Sequence, residues 1–297
     1  MKYGKVKTLL LGTLVLLILV SVACAQEDQP WKPIYHLVDE SLQSKLEKDL
    51  LSIPKLRKLI AKKKLAIGVV DLNGGTPKFA SINGNKMMYA ASLPKIAILL
   101  AAYQSFEDGS LEETDEIHGE LTNMIRSSSN QAATKIIDRI GFDKISSVLQ
   151  DPRYELYDES RGGGLWVGKR YAKKGKRYPD PINNISHGAT VTQICRFYYL
   201  LANHRLINYK RSEQMLSDLS HPALKHKFVA SLERLAPEAE LYRKSGTWKQ
   251  WHSDSILVQG VKWRNYILAA MVESEDGSKI IESIVPIIEK TLRSQEG

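Results

Sequence analysis

The chain has 297 residues, 43% hydrophobic and 25% charged, enough for one large domain with a sizeable core and too apolar for wholesale disorder. Its formal net charge is +9 and it carries only two cysteines, so a disulfide framework is excluded and the fold must stand on its core. No internal repeat, Gly-rich phosphate loop, Cys-x-x-Cys pair or zinc-type histidine spacing occurs, so neither a metal nor any other cofactor is expected.

Residues 1–25 read as an export signal. Lys2, Lys5 and Lys7 form a positive start, Thr8 to Ala23 is almost unbroken apolar sequence, and Ala23-Cys24-Ala25 fits a small-x-small cleavage site. The expected location is therefore periplasmic or extracellular. Cys24 adds an alternative, lipid attachment after cleavage before the cysteine, although Ser21 stands where a lipoprotein box has a large aliphatic residue. The remaining thiol, Cys195, has no activating motif near it and is expected to be buried.

After a polar linker at 26–33, apolar residues at Leu37, Leu42, Leu46, Leu50 and Leu51 predict an amphipathic helix over Ile34–Ile53. Leu65–Leu72 and Lys78–Asn83 read as two strands around the turn signal Asn73-Gly74-Gly75-Thr76-Pro77. Helices are predicted over Pro94–Phe106, Leu121–Ile140, Phe142–Leu149 and Thr190–Asn203. Between the last two, Asp151–Asn184 has no period, and a loop that long in a compact domain is usually functional or mobile. Three strands, Glu240–Trp248, Ser253–Gly260 and Asn265–Glu273, and a helix over Ser278–Leu292 close the chain. This order predicts an α+β fold in which an antiparallel sheet is built from both chain ends and a helical lobe is inserted between them.

Ser-x-x-Lys occurs twice, and by chance it should occur about once in a chain of this size. Ser52-Ile53-Pro54-Lys55 leads into a lysine-rich, solvated segment and is read as a helix break. Ser92-Leu93-Pro94-Lys95 instead precedes an apolar run, Ile96 to Ala102, with Pro94 suited to a first helical turn. There Ser92 lies at a helix N-terminus that favours developing negative charge, and Lys95 shares its face one turn on. A lysine drawn inside by such a helix is desolvated, its pKa falls, and it can act as a base towards the serine hydroxyl. Taken alone, the segment fits equally well an ordinary serine cap beside an exposed lysine.

Two later segments bear on that choice. Ser128-Ser129-Asn130 precedes a helix that Asn130 could cap, and Lys244-Ser245-Gly246-Thr247 falls in the first late strand. Gly246 permits another backbone or a substrate to approach the strand, leaving the Thr247 N–H free as an oxyanion donor. In this order the three segments resemble the Ser-x-x-Lys, Ser-Asp-Asn and Lys-Thr-Gly set of the class A β-lactamase and penicillin-binding-protein superfamily. The resemblance covers nearly the whole chain after residue 25 and implies a β-lactamase-like serine hydrolase domain over 26–297.

By position the resemblance implies a nucleophile at Ser92, an activator at Lys95, a proton relay at Ser128 and an electrostatic partner at Lys244. Asn130 is implied to contact the substrate amide and hold Lys95, Ser245 to bond a substrate carboxylate, and the N–H groups of Ser92 and Thr247 to form the oxyanion hole. The implied activity is β-lactam ring opening. A D,D-peptidase or esterase of the same fold and a non-catalytic wall-binding protein are the alternatives. The expected partner is a small β-lactam or D-Ala-D-Ala-type peptide, with no nucleic acid and a monomeric state.

Departures are also visible. Ser129 replaces the aspartate, Ser245 replaces the threonine, and the Ser92–Ser128 link is short. Class A enzymes carry Glu-x-x-x-Asn in the long loop, with a glutamate that positions the deacylating water, and Asp151–Asn184 has no such motif. In its place come Gly162-Gly163-Gly164 and a basic run, Lys169, Arg170, Lys173, Lys174, Lys176 and Arg177. That run is either a solvated mobile loop or a contact for anionic wall polymer or membrane phosphate. The ester on Ser92 is therefore expected to form and to deacylate slowly.

Overall fold

The computed structural model describes residues 32–294, so the export signal, its cleavage site and Cys24 lie outside the described residues. After a single 3-10 turn at Ile34–His36, α1 spans Glu40–Leu51 and α2 spans Pro54–Ala61. The first helix starts later than predicted because Asp39 caps it, accepting the Leu42 N–H at 2.8 Å. Strands β1 (Leu65–Asp71), β2 (Lys78–Ile82) and β3 (Met88–Tyr89) follow. Next come α3 (Lys95–Glu107), α4 (Asp115–Arg126), α5 (Asn130–Ile140) and α6 (Phe142–Leu149). The long loop holds four two- or three-residue strands, β4 (Tyr157–Asp158), β5 (Gly163–Gly164), β6 (Trp166–Val167) and β7 (His187–Ala189). Helices α7 (Val191–Ala202), α8 (Tyr209–Leu219) and α9 (Phe228–Leu235) lead to β8 (Glu240–Trp248), β9 (Trp251–Gln259), β10 (Asn265–Glu273) and α10 (Gly277–Arg293).

The main sheet runs β2-β1-β10-β9-β8, antiparallel throughout, with β1 paired directly to β10 so that Val69 faces Leu268. Both chain ends thus meet in one sheet, as predicted. On one face Ile67, Val69, Leu268 and Ala270 pack with Leu42, Leu46 and Leu50 of α1 and Ile281, Ile284 and Ile288 of α10. The other face of β1 meets α7, where a side chain at Gly68 would stand 2.8 Å from Cys195 Sγ and 3.2 Å from the Val191 carbonyl. Burial on both faces is why β1 reads as a continuous apolar run rather than an alternating one. Cys195 is buried in this layer, and loss of solvent pushes its thiol pKa up, as expected of a structural cysteine.

The helical lobe is organised by α3, which is buried from Lys95 to Phe106 and packs against α4, α5, α6 and α8. An α-helix that is apolar all round belongs inside a protein, and α3 follows that rule. Two expectations need correction. The predicted helix Leu121–Ile140 is two helices, broken at Ser127–Ser129 where Ser128 takes a left-handed φ of 61°. The cap of the second is Ser129, whose Oγ accepts the Ala132 N–H at 3.1 Å, and this leaves the Asn130 side chain available elsewhere. The long loop is tied down by Asp180, whose carboxylate accepts the N–H groups of Ile182, Asn183 and Ile185 and the Tyr157 hydroxyl. Among the described residues no helix is long and apolar enough to cross a membrane.

Candidate active site

The turn Ala91–Pro94 carries Ser92 between the sheet and α3. Ala91 holds a left-handed φ of 52°, and the Ala90 carbonyl accepts the Ser253 hydroxyl at 2.7 Å, fixing the approach to Ser92. Gly246 on β8 lies against this turn. A Cβ there would fall 2.2 Å from the Ala90 oxygen and 2.7 Å from the Ser92 nitrogen, so only glycine lets the strand edge reach the serine amide. The ordinary explanation of Ser92-Leu93-Pro94-Lys95 fails on two counts: no side chain caps α3, and Lys95 is 0% exposed.

Lys95 runs inward from the first turn of α3. Its Nζ donates to the Ser128 carbonyl at 2.6 Å and to Asn130 Oδ1 at 2.8 Å, and lies 3.4 Å from Ser128 Oγ. The strained backbone at Ser128 turns that carbonyl and hydroxyl to the lysine, and the break between α4 and α5 exists at this point. Lys244, from β8, donates to the same Ser128 Oγ at 2.8 Å and to the Ser245 carbonyl at 2.9 Å. One hydroxyl is therefore held between two buried amines.

Burial governs their charge. Loss of hydration lowers Lys95 to about 7. Lys244 is driven well below its ordinary value, first by burial and then by the charges of Lys95 and Arg243, with Asp254 opposing. Two like charges flanking one oxygen disfavour each other's charged form, which adds to the effect of burial on Lys244.

The edge of β8 completes the arrangement. Trp248 and Trp251 flank a two-residue turn, so the next pair, Thr247–His252, is the non-hydrogen-bonded kind and the Thr247 N–H points off the sheet. Alternation places Lys244 and Gly246 towards the Ser92 turn, with Ser245 buried and Thr247 exposed. Sequence reasoning missed the brace behind this edge. Lys227, fully buried at the start of α9, donates to the Gly246 carbonyl at 2.7 Å, Thr247 Oγ1 at 2.9 Å and the Ser253 carbonyl at 3.0 Å. Burial lowers it to about 8, and its only sequence sign is a lysine opening the apolar run Phe228–Leu232. Beside it Arg243 and Asp254 form a buried ion pair at 2.6 Å.

The loop acids all point elsewhere. Glu155 pairs with Arg196 at 3.0 Å, Asp158 with Arg161 at 3.3 Å, Glu159 is exposed, and Asp180 serves its own loop. Tyr171 is a loop residue that does reach Lys95, with the amine 4.6 Å from its ring centroid, and sequence reasoning missed it because its segment has no period. No group of His, Cys, Asp or Glu able to hold a metal occurs among the described residues.

A sheet shared by both chain ends, a helical lobe against its β8 edge, and paired lysines where they meet define the β-lactamase-like class of fold. A model of the beta-lactamase enzyme family matches residues 53–120 and 119–292, and the chain belongs to that family. Among solved structures it is similar to a beta-lactamase from Sphaerobacter thermophilus DSM 20745, at TM-score 0.63 and 15% identity over 84% of this chain and 97% of that one. PBP-A matches at TM-score 0.63 and 17% identity, over 86% of this chain and 97% of its own. A class A beta-lactamase representative from Bacteroides cellulosilyticus DSM 14838 matches at TM-score 0.62 and 16% identity, over 86% of this chain and all of its own. No curated protein matches the sequence.

Proposed function

We propose that the protein is an exported serine acyl-transfer enzyme that opens β-lactam amides through an ester on Ser92 and releases that ester slowly. The observation that carries this reading is the Ser128 hydroxyl held between the buried amines of Lys95 and Lys244. A wall-binding module has no use for two desolvated lysines around one serine, since each costs folding free energy.

Neutral Lys95 takes the proton of Ser92 Oγ as that oxygen attacks the ring carbonyl carbon. The oxyanion lies between the N–H groups of Ser92 and Thr247, which Gly246 lets converge. As the carbon–nitrogen bond breaks, the Ser128 hydroxyl gives its proton to the leaving nitrogen and is reprotonated from the adjacent amines, Lys244 at 2.8 Å foremost. Asn130 orients Lys95 and meets the substrate amide, while Ser245 and Lys244 favour a substrate carboxylate. The product is the Ser92 ester with an opened ring.

A second reading, a D,D-peptidase or esterase whose acceptor is a nucleophile other than water, is favoured because Lys95 bonds to no carboxylate among the described residues. A variant of PBP-A, of similar fold, has been solved as an acyl-enzyme complex with penicillin G, and a persistent ester on Ser92 is consistent with it. A chromogenic cephalosporin assay separates these outcomes. A stoichiometric burst followed by slow turnover, absent in Ser92→Ala, is expected. A burst that survives in Ser92→Ala would remove Ser92 from the mechanism.

A further inference from the structure

Tyr171 lies in the one stretch of the site that neither the motifs nor their spacing reach. Its ring faces the Lys95 amine at 4.6 Å from the centroid, and its hydroxyl donates to the Ala91 carbonyl at 3.2 Å, one residue before Ser92. The ring also packs, tilted by 33° with centroids 4.3 Å apart, on His187, whose Nε2 donates to the Lys169 carbonyl at 2.9 Å. Arg170, the residue before it, is ion-paired to Asp138 of α5. Tyr171 is thus fixed from both sides of the loop and spans the nucleophile turn and the lysine together.

We propose that Tyr171 is a positioning residue that seals the Lys95 amine from water, keeping it a base for Ser92 while denying it to a water that would hydrolyse the ester. The proposal rests on the acylation of Ser92 set out above. The groups facing Lys95 are the Ser128 carbonyl and hydroxyl, Asn130 Oδ1, Lys244 from β8, and Tyr171 and His187 from the loop, with Tyr89 against His187. None is a carboxylate. An aromatic face attracts an ammonium, which by itself favours the charged form. Burial acts the other way and holds the amine below its ordinary value, and the ring of Tyr171 is part of what buries it. Tyr171 cannot itself serve as a base. Burial pushes its phenol well above the usual range, and the proton is committed to the Ala91 carbonyl.

Lys95, 3.4 Å from Ser128 Oγ, is then kept for the serine hydroxyls of the site. It accepts the Ser92 proton during attack, and afterwards no water has a path to it through the ring. A substrate-borne acceptor that displaces or bypasses the tyrosine would still reach the ester, which gives slow hydrolysis without abolishing transfer.

The test uses the full chain as wild type, Tyr171→Phe and Tyr171→Ala. The rate of penicillin adduct formation is followed by intact mass across pH 5–10, the lifetime of the adduct is measured after excess penicillin is removed, and Lys95 is titrated by NMR on 13C-lysine protein. Wild type and Tyr171→Phe should share a near-neutral midpoint and a long-lived ester. Tyr171→Ala should move the midpoint up by roughly one pH unit or more as the amine regains water, and shorten the ester lifetime about tenfold. A folded Tyr171→Ala protein with unchanged midpoint and lifetime overturns the proposal. If that variant does not fold, Tyr171→Gln, which keeps bulk and admits a polar group, is read the same way. A wild type that never forms an adduct defeats the acylation reading instead, and the NMR titration then still decides what Tyr171 does to Lys95.

Discussion

The Ser128 hydroxyl lies 2.8 Å from one buried amine and 3.4 Å from another. Its geometry sets a pH dependence. Lys95 acts as base only when neutral, so acylation should rise as pH passes through about 7 and level off above it. A rate that falls with rising pH through that range would contradict a lysine base. The same depression affects stability. Between about 7 and the ordinary lysine value, the unfolded chain holds a proton at Lys95 that the native protein does not, so this group's contribution to stability increases with pH across that window. Lys95→Ala should slow acylation by about 10²–10⁴-fold, measured as the rate of adduct formation. Ser128→Ala and Lys244→Ala should each slow it, and their double variant should fall short of the product of the two effects because they share one proton path.

At the level of elements, the site depends on β8 approaching the Ser92 turn and on the break between α4 and α5. Gly246→Ala drives a methyl into the Ala90 carbonyl and the Ser92 amide, so it should abolish acylation and destabilise by about 1–3 kcal/mol. An active Gly246→Ala protein would show that the edge and the turn do not cooperate in an oxyanion site. The break was only half legible in the sequence. Ser129 and Asn130 compete for the same capping role, and composition cannot say which takes it. The serine does, and Asn130 is released to bind Lys95 at 2.8 Å. Strands β1, β9 and β10 were legible from their apolar runs, β2 and β8 from alternation and the turns beside them, and α3 from its unbroken apolar run. Short α2 and α9, with eight residues each, and α8 with its polar surface lacked a comparable signal. Lys227 and Tyr171 were invisible because their importance lies in the distant segments they touch.

Over the whole molecule, the sheet joins residues 65–71 to residues 265–273, so strands far apart in the chain share one hydrogen-bonded ladder. Arg243 and Asp254 anchor its β8–β9 edge with 2% and 0% of their side chains exposed. Arg243→Leu leaves the Asp254 carboxylate buried and unpaired and should cost about 3–5 kcal/mol, read as a lower midpoint in urea unfolding. A loss within about 0.5 kcal/mol, the scale of an ordinary surface substitution, would mean that water reaches Asp254. Because strands from both ends share one sheet and the lobe packs on its β8 edge, unfolding followed by tryptophan fluorescence and by circular dichroism should give one coincident transition. In the proposed reading the site at this edge forms an ester on Ser92, while its loop acids at 155, 158 and 180 are committed to other partners. The central claim is therefore tested most directly by incubating the protein with a penicillin, removing the excess, and weighing the intact chain over time. One penicilloyl group mapping to Ser92 and persisting over many minutes is the predicted result. No adduct with no opened penicillin, or an adduct that forms equally in Ser92→Ala, would contradict it.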